Sequence, residues 1–188
     1  MSIIQSHPVA LTRANINLRP LTDADLPLLY RWNDDPDVVY WADSGNAERF
    51  EPGEVDSMYG YVSQNALCFL AEVEGRPIGD CWLQKMNIKA VQDQYPNLDV
   101  RRIDATIGEK DMWGKGIGTE IMKMLIDFAF REENVDVLYC IVADYNERSR
   151  RMIERLGFIK CDEEDADADS LRAKKEYHYR LVRRDRVQ

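Results

Sequence analysis

The sequence predicts a single domain of mixed α/β (α+β) class, with helices on both faces of a mixed sheet. Its 188 residues, 45% hydrophobic and 31% charged, suit one globular domain with a sizeable core. Two strand-like segments joined through Gly75 predict an antiparallel hairpin in the first half. A strand, a helix and a second apolar strand between residues 100 and 142 then predict a βαβ unit.

The first elements follow from alternation and helix caps. Residues 16–21 alternate apolar and polar side chains, as a strand does, and we expect residues 1–15 to precede the domain 16–188 as an N-terminal extension. Thr22 or Asp23 caps the next helix, which ends at the Asn-Asp-Asp-Pro segment. A short aromatic segment at 38–41 follows, and then a second helix at 52–63 that Pro-Gly opens.

The rest of the chain alternates strands and helices. The hairpin strands are joined by Glu-Gly-Arg-Pro, and the polar stretch after them contains a Tyr-Pro-Asn turn typical of a loop. Asn146 and Gly157 bracket a late helix as its N-cap and the residue after its end. The expected strands are 67–74, 78–86, 100–108, 137–142, 158–161 and 176–182; the expected helices are 119–131 and 146–156, with the loop at 87–99.

Residues 111–118, Asp-Met-Trp-Gly-Lys-Gly-Ile-Gly, are the most informative stretch. Three glycines in five residues let backbone N–H groups approach a ligand closely. The helix behind them adds unpaired N–H donors and a partial positive charge, so the turn suits a phosphate or pyrophosphate. The spacing matches neither a Walker loop nor the dinucleotide-binding pattern. A plain strand-to-helix turn is the alternative.

Composition restricts the class of function. A net charge of −9 argues against nucleic acid as a partner, and it favours a cationic ligand if acidic groups converge on a cleft. The alternative is that the surplus carboxylates only keep the protein soluble. The cysteines are widely spaced and the two histidines lie far apart, which predicts neither zinc nor a disulfide framework. With no secretory signal and no apolar run of membrane-spanning length, we expect a cytoplasmic protein without membrane partners.

Three local signatures, in order along residues 16–183, resemble the GNAT superfamily of acetyl-CoA-dependent N-acetyltransferases. They are Asn-Leu-Arg-Pro-Leu-Thr-Asp-Ala-Asp-Leu at 17–26, Gly-Lys-Gly-Ile-Gly at 114–118, and Asn-Glu-Arg-Ser at 146–149 leading to Arg-Leu-Gly-Phe at 155–158. The resemblance implies a mixed, mostly antiparallel twisted sheet with helices on both faces. It also implies acetyl-CoA as cosubstrate and no metal.

Within that superfamily the chain is most similar to aminoglycoside 6′-N-acetyltransferases, which are linked to antibiotic resistance. The similarity lies in Val-Tyr-Trp at 39–41, in Arg-Pro-Ile-Gly at 76–79, and in Arg-Ile-Asp-Ala-Thr-Ile-Gly at 102–108 followed by Trp-Gly-Lys-Gly. These enzymes carry an aspartate at the position of Asp104. The resemblance therefore implies a small polycationic amine as the acceptor.

The implied reaction is direct attack of a neutral amine on the acetyl-CoA thioester. A carboxylate can accept the amine's proton and hold a cationic substrate beforehand, so we assign Asp104 as the orienting group and base. Its alternative is an ion pair with Arg101 or Arg102 at a strand edge. Backbone N–H groups around Thr106 and Ile107 are expected, on the resemblance, to stabilise the oxyanion.

The coenzyme site implied by the resemblance spans the glycine turn and the late helix. Its main-chain N–H groups would bind the pyrophosphate, with Lys115 a solvated helper, and Asn146 would bond the pantetheine arm unless it is only a helix cap. Arg148, Arg150 and Arg151 can reach the 3′-phosphate, or form a solvated helix face. The assigned residues are Thr106, Ile107, Trp113, Gly114, Lys115, Gly116, Ile117, Gly118, Thr119, Asn146 and Arg151.

The acceptor side is assigned to Tyr40, Trp41, Asp43, Asp104 and Asp144. The acidic run 162–169 is expected to be a loop between the last two strands, either mobile or attracting cations. The alternative for Trp41 is that it belongs to the hydrophobic core and not to the acceptor pocket.

Two departures separate the chain from the family pattern. Ile153 stands where many members carry a tyrosine near the coenzyme sulfur. Ile141-Val142 stands where the resistance enzymes often carry Asp-Pro, and the nearest acid there is Asp144.

Two further functions compete with the aminoglycoside assignment. One is acetylation of another amine, such as a protein N-terminus, a polyamine or a siderophore amine. The other is a non-catalytic acyl-CoA-binding module, to which the missing tyrosine lends some support. We expect a monomer or a homodimer.

Overall fold

The computed structural model describes residues 2–43 and 47–183. Its strands form one sheet in the order β1-β2-β3-β4-β5-β6-β8-β7. The strands are β1 (Leu11–Arg13), β2 (Ile16–Pro20), β3 (Ala66–Val73), β4 (Arg76–Lys85), β5 (Val100–Ile107), β6 (Val137–Ala143), β7 (Ile159–Asp165) and β8 (Lys175–Val182). The helices are α1 (Leu26–Asp34), α2 (Pro36–Ala42), α3 (Pro52–Ser63), α4 (Lys89–Gln94), α5 (Ile117–Arg131) and α6 (Glu147–Arg155).

Neighbouring strands are antiparallel except β5 and β6, which run parallel with α5 as their crossover. The predicted fold class, a mixed and mostly antiparallel sheet with helices on both faces, is confirmed. The hairpin β3–β4 and the βαβ unit β5–α5–β6 lie where the sequence predicts them.

Successive side chains of the central strands point to opposite faces of the sheet, which creates two hydrophobic cores. In β3, Phe69 packs with α5 and α6 on one face, while its neighbours Cys68 and Leu70 pack with α1 and α3 on the other. A third cluster surrounds Val91 of α4 and Tyr139 of β6. The sheet is therefore covered on both sides, and its central strands carry apolar side chains on both faces.

Two helices fall where none was predicted. The aromatic segment belongs to α2, because Pro36 opens it and the Asp35 carboxylate accepts a hydrogen bond from the Asp37 N–H at 3.0 Å. The loop expected at 87–99 contains α4, whose Val91 is buried against the sheet. Within residues 2–43 and 47–183, no helix is both long and apolar enough to cross a bilayer.

Two segments of the chain differ from expectation. Part of the expected N-terminal extension is packed onto the domain, since Ile4 is 2% exposed and Leu11 of β1 pairs with Leu18 of β2. The acidic run was expected to be a loop throughout, but its first half extends β7 to Asp165. Lys160 and Lys175 both contact the Glu163 carboxylate, which offsets repulsion among the acids and lets the strand pair with β8.

Candidate active site

The sheet splits open between its two parallel strands. β5 and β6 pair only from Val100–Val137 to Arg102–Tyr139, although β5 continues to Ile107 and β6 to Ala143. Beyond that point each strand has lost a hydrogen-bonding neighbour, so backbone groups face the gap. A cleft of about 530 Å³ occupies it.

The cleft gathers residues from both halves of the chain. One wall is β5 with the glycine turn, the opposite wall is the end of β6 with α6, and the end of α2 closes one side. Of the assigned residues, the following line it: Trp41, Asp43, Asp104, Thr106, Ile107, Trp113, Gly114, Gly116, Ile117, Gly118, Thr119, Asn146 and Arg151. Lys115, Tyr40 and Asp144 are not among the lining residues.

The glycine turn presents the start of a long helix to the cleft. Gly114 and Gly116 have φ angles of 74° and 79°, a backbone region that favours glycine. Gly116 is the N-cap of α5 and supplies no side chain, so no cap side chain bonds the helix's first N–H groups. The start of this 15-residue helix, with no side-chain cap, suits a phosphate.

α6 adds positive charge to the lining of the cleft. Arg148, Arg151 and Arg155 all line it. The Asn146 side chain accepts from the Ser149 N–H at 3.1 Å and donates to the Trp41 carbonyl at 3.0 Å. Asn146 is thus a helix cap, which is the alternative to a contact with the pantetheine arm. Its hydrogen bond to Trp41 also connects α6 with α2 across the cleft.

Asp104 projects from β5 into the cleft wall. Its Oδ1 accepts a hydrogen bond from the Ala105 N–H at 2.8 Å. Burial raises the pKa of Asp104, while Arg102 and that N–H oppose the rise. The alternative ion pair is not formed by Arg101, whose guanidinium bonds Asp99 and Glu133 instead. A partly buried carboxylate with a raised pKa is a suitable proton acceptor.

A second carboxylate lies behind Asp104, and sequence reasoning missed it. Asp80 of β4 is 2% exposed, and its Oδ2 accepts a hydrogen bond from the buried Tyr59 hydroxyl at 3.0 Å. Burial raises the pKa of Asp80 to about 7; the Tyr59 bond lowers it, and the charge on Asp104 raises it. Its signal in the sequence is a lone acid between Ile-Gly and Cys-Trp in a strand that is otherwise apolar there.

The acceptor side is partly assembled as assigned. Tyr40, Trp41 and Tyr145 form an aromatic cluster, with the Tyr40 and Trp41 ring centroids 4.7 Å apart. Trp41 lines the cleft, with the Arg148 guanidinium 5.9 Å from its ring centroid, so it is not a core residue. Tyr40 is 36% exposed and stacks under Arg172 outside the cleft.

Three assigned or discussed residues lie away from the reaction space. The Asp144 carboxylate accepts hydrogen bonds from the Tyr145 and Lys174 N–H groups, which stabilises a turn. Lys115 is exposed, with its amino group 3.9 Å from the Met112 sulfur, as expected for a solvated helper. Ile153 is 2% exposed in the core, so an aliphatic side chain fills the position of the family tyrosine.

Because the pKa of Asp80 is raised, the difference in stability between Asp80→Asn and wild type should depend on pH. An aspartate has a pKa near 3.9 when unfolded, so the stabilising contribution of neutral Asp80 is present below about pH 4 and is lost as the pH rises to about 7. Asp80→Asn does not titrate. Relative to wild type, it should therefore gain on the order of 2–3 kcal/mol in the free energy of unfolding between pH 5 and pH 8.

Urea unfolding at the two pH values measures this gain. Asp93→Asn is the matched control, because Asp93 is exposed on α4 and should show no such gain. An equal response of both variants to pH would show that Asp80 is ionised at pH 5.

Comparison with known proteins identifies relatives over most of the chain. The profile of the acetyltransferase (GNAT) domain matches residues 15–159. The aminoglycoside N(6′)-acetyltransferase type 1 of Klebsiella pneumoniae is 26% identical over 149 residues, which cover 77% of this chain and 74% of that protein. The spermidine N(1)-acetyltransferase of Escherichia coli K12 is 25% identical over 145 residues, covering 77% and 73%.

Solved structures share the fold. AAC(6′)-Ib in complex with ribostamycin and coenzyme A superposes with a TM-score of 0.75 at 22% identity, covering 93% of this chain and 99% of that one. At this identity the likeness concerns the architecture of the chain.

Proposed function

The chain belongs to the acetyltransferase (GNAT) family, and from that premise we propose that it transfers the acetyl group of acetyl-CoA to the 6′-amine of aminoglycosides. The observation that carries the proposal is that groups of both charges line one cleft. Arg148, Arg151, Arg155 and the start of α5 line it together with Asp43 and Asp104. An anionic coenzyme and a cationic amine can therefore bind side by side.

The coenzyme end supplies two kinds of anion contact. The pyrophosphate would bind the N–H groups of the glycine turn and of the first turn of α5, where the helix dipole favours negative charge. The arginines of α6 would face its 3′-phosphate. The gap between β5 and β6 leaves room for the pantetheine arm to lie like a missing strand along β5.

The acceptor end supplies the group that makes the amine reactive. An ammonium has no lone pair, so one proton must leave before attack, and Asp104 is the carboxylate positioned in the cleft wall to take it. The neutral amine then forms the N–C bond, the C–S bond breaks, and the second amine proton goes to the leaving sulfur. Backbone N–H groups on the unpaired edge of β5 would stabilise the oxyanion.

Polycationic acceptors are favoured over peptides by the acidic groups around this point. Asp43 and Asp104 line the cleft, and Asp80 lies in a small cavity that adjoins it. The 26% identical aminoglycoside relative supports the aminoglycoside as acceptor. The exposed acids of β7 and the residues after it would attract cations to the protein surface.

Acetylation of another amine is the second candidate, favoured by the relative that acts on spermidine. A non-catalytic acyl-CoA-binding module is a weaker third, because it gives no role to Asp104, a partly buried carboxylate in the cleft wall. The buried Ile153 is the observation in its favour.

A thiol-release assay with acetyl-CoA separates these functions. We expect turnover with kanamycin and loss of turnover with its 6′-hydroxy analogues, since a hydroxyl replaces the attacking amine. Turnover with spermidine or with peptides alone would move the acceptor assignment to that class. Absence of release with every amine, together with coenzyme A binding by calorimetry, would favour the binding module.

A further inference from the structure

Asp80 and Asp104 face the same small space. In the pairing of β4 with β5, Asp80 lies opposite Thr106 and Trp82 lies opposite Asp104, so the two acids are diagonal neighbours on one face of the sheet. Diagonal positions of this kind are roughly 7–8 Å apart. Both acids line a cavity of about 80 Å³ between the sheet and α1–α3.

This cavity continues into the main cleft. Asp104 and Thr106 line both spaces, whereas Asp80 and Tyr59 line only the inner one. The inner space is wide enough for a water molecule to bridge the two carboxylates. A proton can therefore pass between Asp104, which also lines the main cleft, and Asp80, which lines only the inner cavity.

The side chains around Asp80 include a hydroxyl, a carboxylate and two thiols. Tyr59 of α3 donates its hydroxyl to one oxygen, and Asp43, after α2, lines the same cavity. The neighbouring thiols Cys68 and Cys81 are neutral, because burial raises the pKa of both.

Around Asp104 the balance of charge is different. Arg102, on the same strand, favours the ionised form of Asp104, and the buried Cys140 thiol across the gap is neutral. Among the described residues, the groups that shift the pKa of Asp80 include no cation. Of the two carboxylates, Asp104 thus ionises first as the pH rises.

We infer that Asp80 and Asp104 work as one proton-accepting pair, in which Asp104 meets the acceptor amine and Asp80 holds the proton. The inference rests on the proposed amine acetylation. The ammonium gives one proton to Asp104, and the proton moves to ionised Asp80 through the inner cavity. The amine forms the N–C bond as the C–S bond breaks, its second proton joins the sulfur, and Asp80 later returns the first proton to solvent. Asp80 acts through Asp104 and is a positioning residue.

The free protein tests the pair without any acceptor. In carboxyl ¹³C NMR of aspartate-labelled protein, the resonance absent from Asp80→Asn identifies Asp80, and we expect it to titrate near pH 7. Asp104→Asn should lower that midpoint by on the order of one pH unit, because the neighbouring charge is removed. Tyr59→Phe should raise it, because the ionised form loses its hydrogen bond.

Kinetics test the role of the pair. With kanamycin or spermidine, whichever is turned over, the kcat/KM of wild type should decline on the acid side with a midpoint near pH 7. In Asp80→Asn this midpoint should move to lower pH. The plateau value of kcat/KM should drop on the order of tenfold, because Asp104 alone is a weaker base. Asp93→Asn should match wild type.

An Asp80 midpoint below pH 5, or one that Asp104→Asn does not move, would overturn the pair whatever the substrate is. An unchanged acidic limb in Asp80→Asn would overturn its role in turnover. If the NMR titrations follow expectation but no amine is acetylated, the paired carboxylates stand and the proposed function fails.

Discussion

Asp104→Asn should fold and bind acetyl-CoA normally yet lose about a hundredfold or more in kcat/KM, because removal of a general base typically has this effect. The asparagine keeps the size of the side chain and can still accept the hydrogen bond from the Ala105 N–H. It cannot take a proton from the ammonium. Steady-state thiol release, with coenzyme affinity from calorimetry, measures the two effects separately.

The Asp93→Asn variant controls for loss of one surface charge, because Asp93 is exposed on α4 and is not a cleft residue. An Asp104→Asn enzyme with wild-type kcat/KM would remove Asp104 from the mechanism. A loss of coenzyme binding instead would reassign Asp104 to holding the cleft in shape.

Gly79→Ala should be the most destabilising single change near the site. A Cβ atom at Gly79 of β4 would lie 2.0 Å from the Thr106 carbonyl oxygen, which is backbone of the paired strand and cannot rotate away. Overpacking of this kind costs on the order of 3 kcal/mol, and it must push β5 away from β4. We expect a lower midpoint in urea unfolding, and reduced turnover because β5 carries Asp104.

Gly53→Ala is the matched control. Apart from its chain neighbours and its own helix backbone, no atom of residues 2–43 and 47–183 lies within 4 Å of a Cβ built at Gly53, which sits in the first turn of α3 and does not have a positive φ. The same change there should leave the free energy of unfolding equal or raise it by up to about 1 kcal/mol. Equal stability of the two variants would mean that β4 and β5 can separate at Gly79 without loss.

Local patterns were enough to predict the framework of the fold. Alternation, caps and glycine turns placed the hairpin, the βαβ unit and the late helix, because these features depend on neighbouring residues. α4 escaped prediction because its six residues form fewer than two turns, and the burial of Val91 stabilises it through contacts distant in sequence. The strand predicted at 158–161 was too short, because lysines at 160 and 175 stabilise the acidic part of β7, which local charge disfavours.

Site residues that belong to a sequence motif could be predicted, whereas residues that only packing brings to the site could not. The glycine turn and Asp104 lie together in the cleft, as the motif order implied. Asp80 precedes Asp104 by 24 positions, and only the register of β4 with β5 brings the two to one face. Asp144, assigned as the acid nearest to the family's Asp-Pro position, does not line the cleft, and its carboxylate accepts hydrogen bonds in a turn.

Competition between two amines tests acetyl transfer in this cleft most directly. Purified enzyme, acetyl-CoA, kanamycin and spermidine at equal concentration are incubated together, and the products are identified by mass spectrometry and NMR. We expect kanamycin carrying one acetyl group on its 6′-nitrogen, formed by wild type and not by Asp104→Asn. Acetylated spermidine beside unmodified kanamycin would contradict the aminoglycoside assignment, and no acetylated product at all would contradict catalysis.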